Sequence, residues 1–341
     1  MDKLDLSVFF FSSDERYNYN FILDIAKFAD ENAFKAIWTP ERHYHEFGGL
    51  YPSPAVLSSA IAAITQQISI RAGSVVLPLH NPFEVAEQWS IVDNISGGRI
   101  GVSVAPGFHP RDFVFSPEIF ESRHSVLFEK LSVLQSIWSN QRTNEKIPGD
   151  ATDSQLDLYP RPLQSELPVW LTAAASARTF ENAGSLGLNV LTALMGQTLD
   201  ELETKIHLYK CSRKNAGYDP ESGAITLMLH TYLGDSEEEI EAIAKPALKS
   251  YLSTHTDFAV PLLKNTGIDV AKLTDADRAA ILNRSFEKYK KNRSLVGTAD
   301  YAKSFLQKLQ DIGVTELACL VDFGLEYSDV IRSLERLKKL V

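Results

Sequence analysis

Residues Ala36–Pro54 read AIWTPERHYHEFGGLYPSP. The short apolar run Ala36-Ile37-Trp38 is strand-like. It breaks into a loop carrying Glu41, Arg42, His43, His45 and Glu46, with Gly48 and Gly49 behind them. Ser53 and Pro54 then fit the N-cap and first position of a helix. Ionisable residues crowded just past a strand end, closed by glycines, are how an α/β scaffold presents chemistry.

The same unit recurs in both directions. Leu4–Phe11, Ile68–Pro78, Arg99–Ala105, Val169–Thr172, Asn189–Thr192, Ala224–Thr231 and Glu316–Phe323 are the other β-rich apolar runs. Helical spacing or capping marks Tyr19–Asn32, Pro54–Thr65, a stretch after the Asn81-Pro82 start, and further helices ending with Ser328–Leu340. Eight strand–helix units in 341 residues predict one (β/α)8 TIM-barrel domain spanning 1–341. Asn140–Ser165 reads as a polar surface excursion. Tyr251–Ser294 is too long for an ordinary connection and predicts a lid-like insertion between strands seven and eight. The helix AVLSSAIAAIT is apolar or small on nearly every side, so a second surface must cover it; a homodimer contact is expected there.

Net charge is −10 and no long Lys/Arg run occurs, which argues against nucleic acid or an anionic membrane as partner. Cys211 and Cys319, both in elements read as buried, fit a reducing compartment without disulfides. The opening MDKLDLSVFFFSSDE is too acidic, and its apolar run too short, for a signal peptide or membrane span; a cytoplasmic protein is expected.

In such barrels the loops after the strands build the site. Four of the eight histidines lie there: His43 and His45 after strand two, His80 after strand three, His109 after strand four. A loop histidine can equally serve only to bond backbone, but the pair in the first of these loops points to a site. AAASAR (173–178) leads from a strand straight into a helix. Its small side chains let backbone approach a ligand, and the helix start offers free N–H groups and a positive dipole end. Ser176 adds a hydroxyl and Arg178 a charge; the plainer reading is Ser176 as an ordinary N-cap. Gly73-Ser74 leaves a flat space over the mouth, unless Gly73 serves packing alone. Together these features point to a phosphorylated, planar cofactor. Glu87, Asp93 and Arg99, within AEQWSIVDNISGGR (86–99), fall on the stability face of the barrel and read as a structural charge cluster.

WTPERHYHEFGGLYPSP, RAGSVVLPLHNP, AEQWSIVDNISGGR and VGTAD (296–300), in that order, resemble the luciferase-like flavin monooxygenases through essentially the whole chain. The likeness is greatest to the branch found beside or within polyketide and nonribosomal-peptide assembly lines, which has the Glu-Arg-His-x-His pattern. The resemblance implies a dimeric barrel that takes reduced FMN from a separate flavin reductase. A C4a-peroxide formed with O2 then oxygenates a small or carrier-protein-bound substrate. It puts the flavin ring on the end of strand three, often on a non-prolyl cis peptide, here Gly73–Ser74. The phosphate pocket matches Ala174, Ala175, Ser176 and Ala177, and Leu194-Met195-Gly196 lines the other side of the ring. Bacterial luciferase has Glu-His-His where this chain has Glu41-Arg42-His43, so Arg42 stands in place of the catalytic histidine. Pro106 replaces an arginine that contacts the phosphate, leaving that task to Arg178 or backbone amides. His43 or His45 is then expected to exchange protons, and Arg42 to stabilise an anionic or carbonyl oxygen. No metal is expected. Three other readings compete: a deazaflavin-dependent hydride-transfer enzyme, a non-catalytic flavin-binding subunit, and a metal hydrolase using His43-x-His45 with Asp322.

Overall fold

The computed structural model describes residues 4–11, 16–141, 156–174, 176–254, 286–287 and 289–340. Its strands are β1 (Asp5–Phe9), β2 (Ala36–Thr39), β3 (Ser69–Val76), β4 (Ile100–Ala105), β5 (Val169–Ala173), β6 (Asn189–Ala193), β7 (Ile225–Leu233), β8 (Leu295–Gly297) and β9 (Glu316–Leu320). The helices are α1 (Tyr19–Glu31), α2 (Pro54–Ile64), α3 (Pro82–Ser96), α4 (Arg123–Trp138), α5 (Ala177–Ser185), α6 (Leu199–Asn215), α7 (Glu237–Ala242), α8 (Ala244–Thr254), α9 (Ala299–Asp311) and α10 (Tyr327–Lys338).

The strands run β6-β5-β4-β3-β2-β1-β9-β7, and a further β6–β7 pairing joins the two ends. Eight parallel strands therefore close into the expected (β/α)8 barrel, with β9 in the eighth place. Parallel strands covered by helices outside and by packed side chains inside are buried on both faces and read as near-continuous apolar runs. Accordingly β2 and β9 are buried at every residue. α1 turns one stripe inward, Phe21, Ile22, Ile25, Ala26 and Ala29. α3 begins as its sequence dictates, with Pro82 in the first turn and the Asn81 side chain accepting the Phe83 N–H.

A polar floor fills the barrel at the strand starts. Arg71 Nη1 donates to Glu316 Oε2 at 2.7 Å, and Ser7 Oγ and Trp38 Nε1 donate to Oε1 at 2.7 and 3.2 Å. The guanidinium lies 5.0 Å from the Trp38 ring centroid and 4.4 Å from that of Trp170.

Several expectations need correction. β1 stops at Phe9 because the Phe11 N–H turns to the Asp322 carboxylate instead of a ladder partner. β3 stops at Val76, where Leu77–Leu79 tightens into a 3-10 turn around Pro78. The sequence marks β8 and α9 only by the VGTAD motif; β8 extends the far end of β7, with Thr231 beside Leu295. Cys211 is exposed on α6, whereas Cys319 is buried. Asp93 and Arg99 do not form a mutual charge cluster with Glu87. Asp93 accepts from Leu163 and Gln164 backbone N–H groups, and Arg99 donates to carbonyls of Ser96, Ile68 and Thr65. Each pins a separate loop. Most of the expected lid lies outside the described residues, as does 142–155 of the expected surface excursion. Tyr251, at the head of that lid segment, sets its ring 5.7 Å from that of Phe47 in the 40–53 loop.

Candidate active site

Glu41 lies two residues past the end of β2, so its side chain starts at the barrel mouth and is buried there. His43 Nε2 and His80 Nε2 both lie 2.6 Å from the same oxygen, Glu41 Oε1. The other oxygen accepts the Val76 N–H at 2.8 Å. A carboxylate is acceptor-only, so both imidazoles donate through Nε2. Burial by itself would raise the Glu41 carboxyl; the bonds from His43 and His80, and their charge, outweigh it and hold the group at about 2. Burial likewise pulls His80 down, but the bond to Glu41 and that carboxylate's charge leave it above its ordinary value. Lys130 of α4 clamps the turn that carries His80, donating at 2.7 Å to both the Pro78 and His80 carbonyls.

Arg42 points to a different partner. Its Nη1 pairs with Asp112 Oδ2 at 3.2 Å, both side chains buried, and Asp112 Oδ1 accepts the His43 N–H at 3.0 Å. Asp112 thus offsets the Arg42 charge and fixes the backbone beside His43. Phe108 lies under the guanidinium, 4.8 Å to its centroid, and Phe115 stands edge-on to His43 at 4.8 Å. Gly48 takes φ +78°, and a Cβ there would come within 3.0 Å of Arg42 Cβ, so the loop needs glycine to fold over this side chain.

The two histidines of the His-x-His pair part company. His43 joins the buried cluster. His45 is half-buried on the rim, its Nδ1 accepting the Phe47 N–H and its ring 4.9 Å from His109.

The peptide Gly73–Ser74 is cis. Gly73 also has a packing reason, since an added Cβ would meet Phe9 Cε2 at 2.7 Å. Ser74 Oγ contacts Thr172 Oγ1, which lies 2.7 Å from Ser103 Oγ, so three strand ends share one hydroxyl cluster. Thr172 precedes the 174–177 stretch by two residues, and Ala173 pairs in register with Thr192. The expected ring platform, phosphate stretch and 194–196 loop therefore leave neighbouring strand ends. Ala174 and Ser176 are exposed; Ser176 takes the N-cap position of α5, as the plain reading has it, but its side chain makes no cap bond. Arg178 and Gly196 are exposed and Met195 is half-buried; Ala175 lies outside the described residues. An exposed helix start whose N-cap side chain makes no cap bond, and a mouth floored by small residues, suit a planar phosphorylated group.

Reading the sequence alone missed Asp112, Ser103, Thr172 and Lys130, and left Glu41 and His80 without a task. His80 carried a signal, its place just past β3. The metal-hydrolase set is not assembled: Asp322 accepts from the Phe11 N–H and the Tyr51 hydroxyl, the latter at 2.8 Å. Among the described residues, Glu41, His43 and His80 are the group whose donor atoms lie near enough to share an ion, within 4.8 Å. Ligands about 2.0–2.2 Å from one metal sit roughly 3.3 Å apart in tetrahedral geometry. The 2.6 Å contacts here are hydrogen bonds instead.

A family model described as luciferase-like monooxygenase matches residues 6–316. The oxygenase component of the flavin-dependent trigonelline monooxygenase of Acinetobacter baylyi is 27% identical over 334 residues, covering 94% of this chain and 88% of that protein. The oxygenating constituent of 3,6-diketocamphane monooxygenase of Pseudomonas putida, solved with FMN, superposes with a TM-score of 0.78 at 17% identity, covering 99% of this chain and 98% of that one. The coenzyme F420-dependent tetrahydromethanopterin reductase of Methanopyrus kandleri reaches 0.75 at 18% identity, covering 100% and 99%. At such identities the two structures speak for the fold alone. The sequence match over residues 6–316, on a closed barrel whose chemistry gathers at its mouth, shows that this chain belongs to the luciferase-like monooxygenase family.

Proposed function

We propose that the chain is the oxygenase component of a two-component system. It takes reduced FMN from a separate flavin reductase and, with O2, places one oxygen atom in a small organic substrate or in an acyl or aminoacyl group on a carrier protein. A role in secondary metabolism belongs to this proposal and rests on the Glu41-Arg42-His43-Tyr44-His45 pattern. The observation that carries the reading is the hydroxyl contact between Ser74 and Thr172, which joins the end of β3 to the end of β5, the strand that leads to α5. Gly73, Ser74, Met195 and Gly196 would hold the ring, and Ala174, Ala175, Ser176, Ala177 and Arg178 the phosphate. Reduced FMN, when bound, supplies the activation of O2. The chain's own part is to hold and move protons. His43 is the favoured proton carrier because it is buried and backed by a carboxylate; His45 on the rim is the alternative. Arg42, held by Asp112, orients an anionic or carbonyl oxygen.

The fold shared with an F420-dependent reductase favours a second reading, deazaflavin-dependent hydride transfer. Anaerobic titration with FMN in both redox states, and with F420, separates the two. Reduced FMN should bind, and Ser176→Asp should weaken it at least about tenfold by setting a negative charge against the phosphate. Binding of F420 alone selects the second reading, and no affinity for any of these refutes both.

A homodimer is part of the proposal, supported by α2 and α3, where Val56, Ile91 and Ile95 remain 71%, 45% and 48% exposed. Ile95→Glu should convert dimer to monomer in sedimentation. No helix among the described residues is long and apolar enough to cross a membrane. A cytoplasmic location is proposed with the rest, and two free cysteines support it.

A further inference from the structure

Two imidazoles compete for one carboxylate oxygen at the mouth. Glu41 cannot turn away, because Val76 N–H holds its second oxygen. The competitors differ in access: the His80 side chain is 31% exposed, that of His43 8%. Both are tied from behind, His80 by Lys130 on its carbonyl and His43 by Asp112 on its N–H. The charged groups facing the trio are Arg42 and Asp112 on the His43 side, and Lys130 and Glu84 on the His80 side.

We propose that Glu41, His43 and His80 act as one unit that holds a single imidazolium, with Glu41 and His80 as positioning residues that set the tautomer and basicity of His43. One carboxylate charge supports one cation well. A second protonation places two imidazolium rings, centroids 6.4 Å apart, on the same oxygen. When His80 carries the proton, Glu41's support is spent there and His43 is the weaker base. When His80 is neutral, Glu41 backs His43 alone. Donation through Nε2 leaves Nδ1 as the atom of His43 that takes or gives a proton. Because His80 reaches solvent and His43 does not, the outer ring reports bulk pH to the inner one. This rests on the oxygenase reading only in treating the mouth as the reaction site.

The test is nitrogen-15 NMR of the histidine rings in the full chain without flavin, from pH 5 to 9. Wild-type His43 should be the Nε2–H tautomer when neutral. His43 and His80 should titrate in two steps separated by at least about one pH unit. His80→Gln removes the competitor and should raise the His43 midpoint by about one unit, a tenfold gain in proton affinity. Glu41→Gln should lower both midpoints, and Glu41→Asp should restore part of the shift, which a merely structural role would not produce. An Nδ1–H tautomer in the wild type overturns the proposal, as does a His43 midpoint unmoved in His80→Gln with unchanged circular dichroism. Stoichiometric zinc in the purified protein would do the same. Since no flavin is present, a failed FMN titration would end the oxygenase reading and leave this result standing.

Discussion

Glu316 at the strand starts and Glu41 at the strand ends are both buried carboxylates bound by nitrogen donors. Glu316 is boxed in by Arg71, Ser7 and Trp38, with aromatic rings on both sides of the guanidinium. Its partner is always charged, so the pair is a brace and nothing more. Glu41 is held by two imidazoles instead, one of which reaches solvent. Imidazole changes charge near neutral pH, which makes the same arrangement a device for keeping and moving a proton. The barrel separates the two tasks by height, brace below and chemistry above.

The sharpest way to break this contrast is at the floor. Arg71→Ala leaves a buried carboxylate unpaired and should cost about 3–5 kcal/mol in denaturant unfolding. A loss under 1 kcal/mol would mean that the floor is not a brace.

At the mouth the effect should follow pH. The Glu41 carboxyl, held at about 2 against an ordinary 4.5, contributes stability that is whole above 4.5 and is lost as pH falls toward 2. His80 works in the opposite sense: its contribution is whole below its ordinary 6.5 and is lost as pH rises through its raised folded value. The cluster therefore stabilises most between about 4.5 and 6.5. Glu41→Gln should remove on the order of 3 kcal/mol at pH 6 and flatten the acid limb of the stability curve. An unchanged acid limb would deny the cluster its charge.

Gly73 lies between these levels and tests where packing ends and ligand space begins. Gly73→Ala pushes a methyl group against Phe9 and should cost about 1–3 kcal/mol, seen as a lower thermal midpoint. The effect most telling on function comes from the two histidines taken singly. His43→Ala should divert reduced flavin to hydrogen peroxide several-fold more than His45→Ala does. The reverse order would move the chemistry to the rim, beside His109.

Much of this was legible beforehand for physical reasons. Strands buried on both faces are mostly apolar, so β2, β3 and β9 showed themselves as runs. Asn81-Pro82 marked a helix start because a cap and a fixed φ are local properties. Reactive side chains past strand ends marked the mouth, and Gly73-Ser74 stood out because small residues there are unusual. The resemblance placed the cis bond between them. Other signals were too weak to read: β8 has three residues, and α9 opens at Thr298 with no side-chain cap bond.

The sequence by itself determined the barrel, its polarity and the loops that bear ionisable groups, because periodicity, capping and burial are written into neighbouring residues. Tertiary structure alone decided the partners. Glu41 meets His80 across 39 positions, Arg42 meets Asp112 across 70, and Arg71 meets Glu316 across 245. His43 and His45, two residues apart and alike on paper, were sorted into buried base and rim ring by the same packing. A hydrogen bond is chosen by distances of a few tenths of an ångström, and those are set only when the strands close.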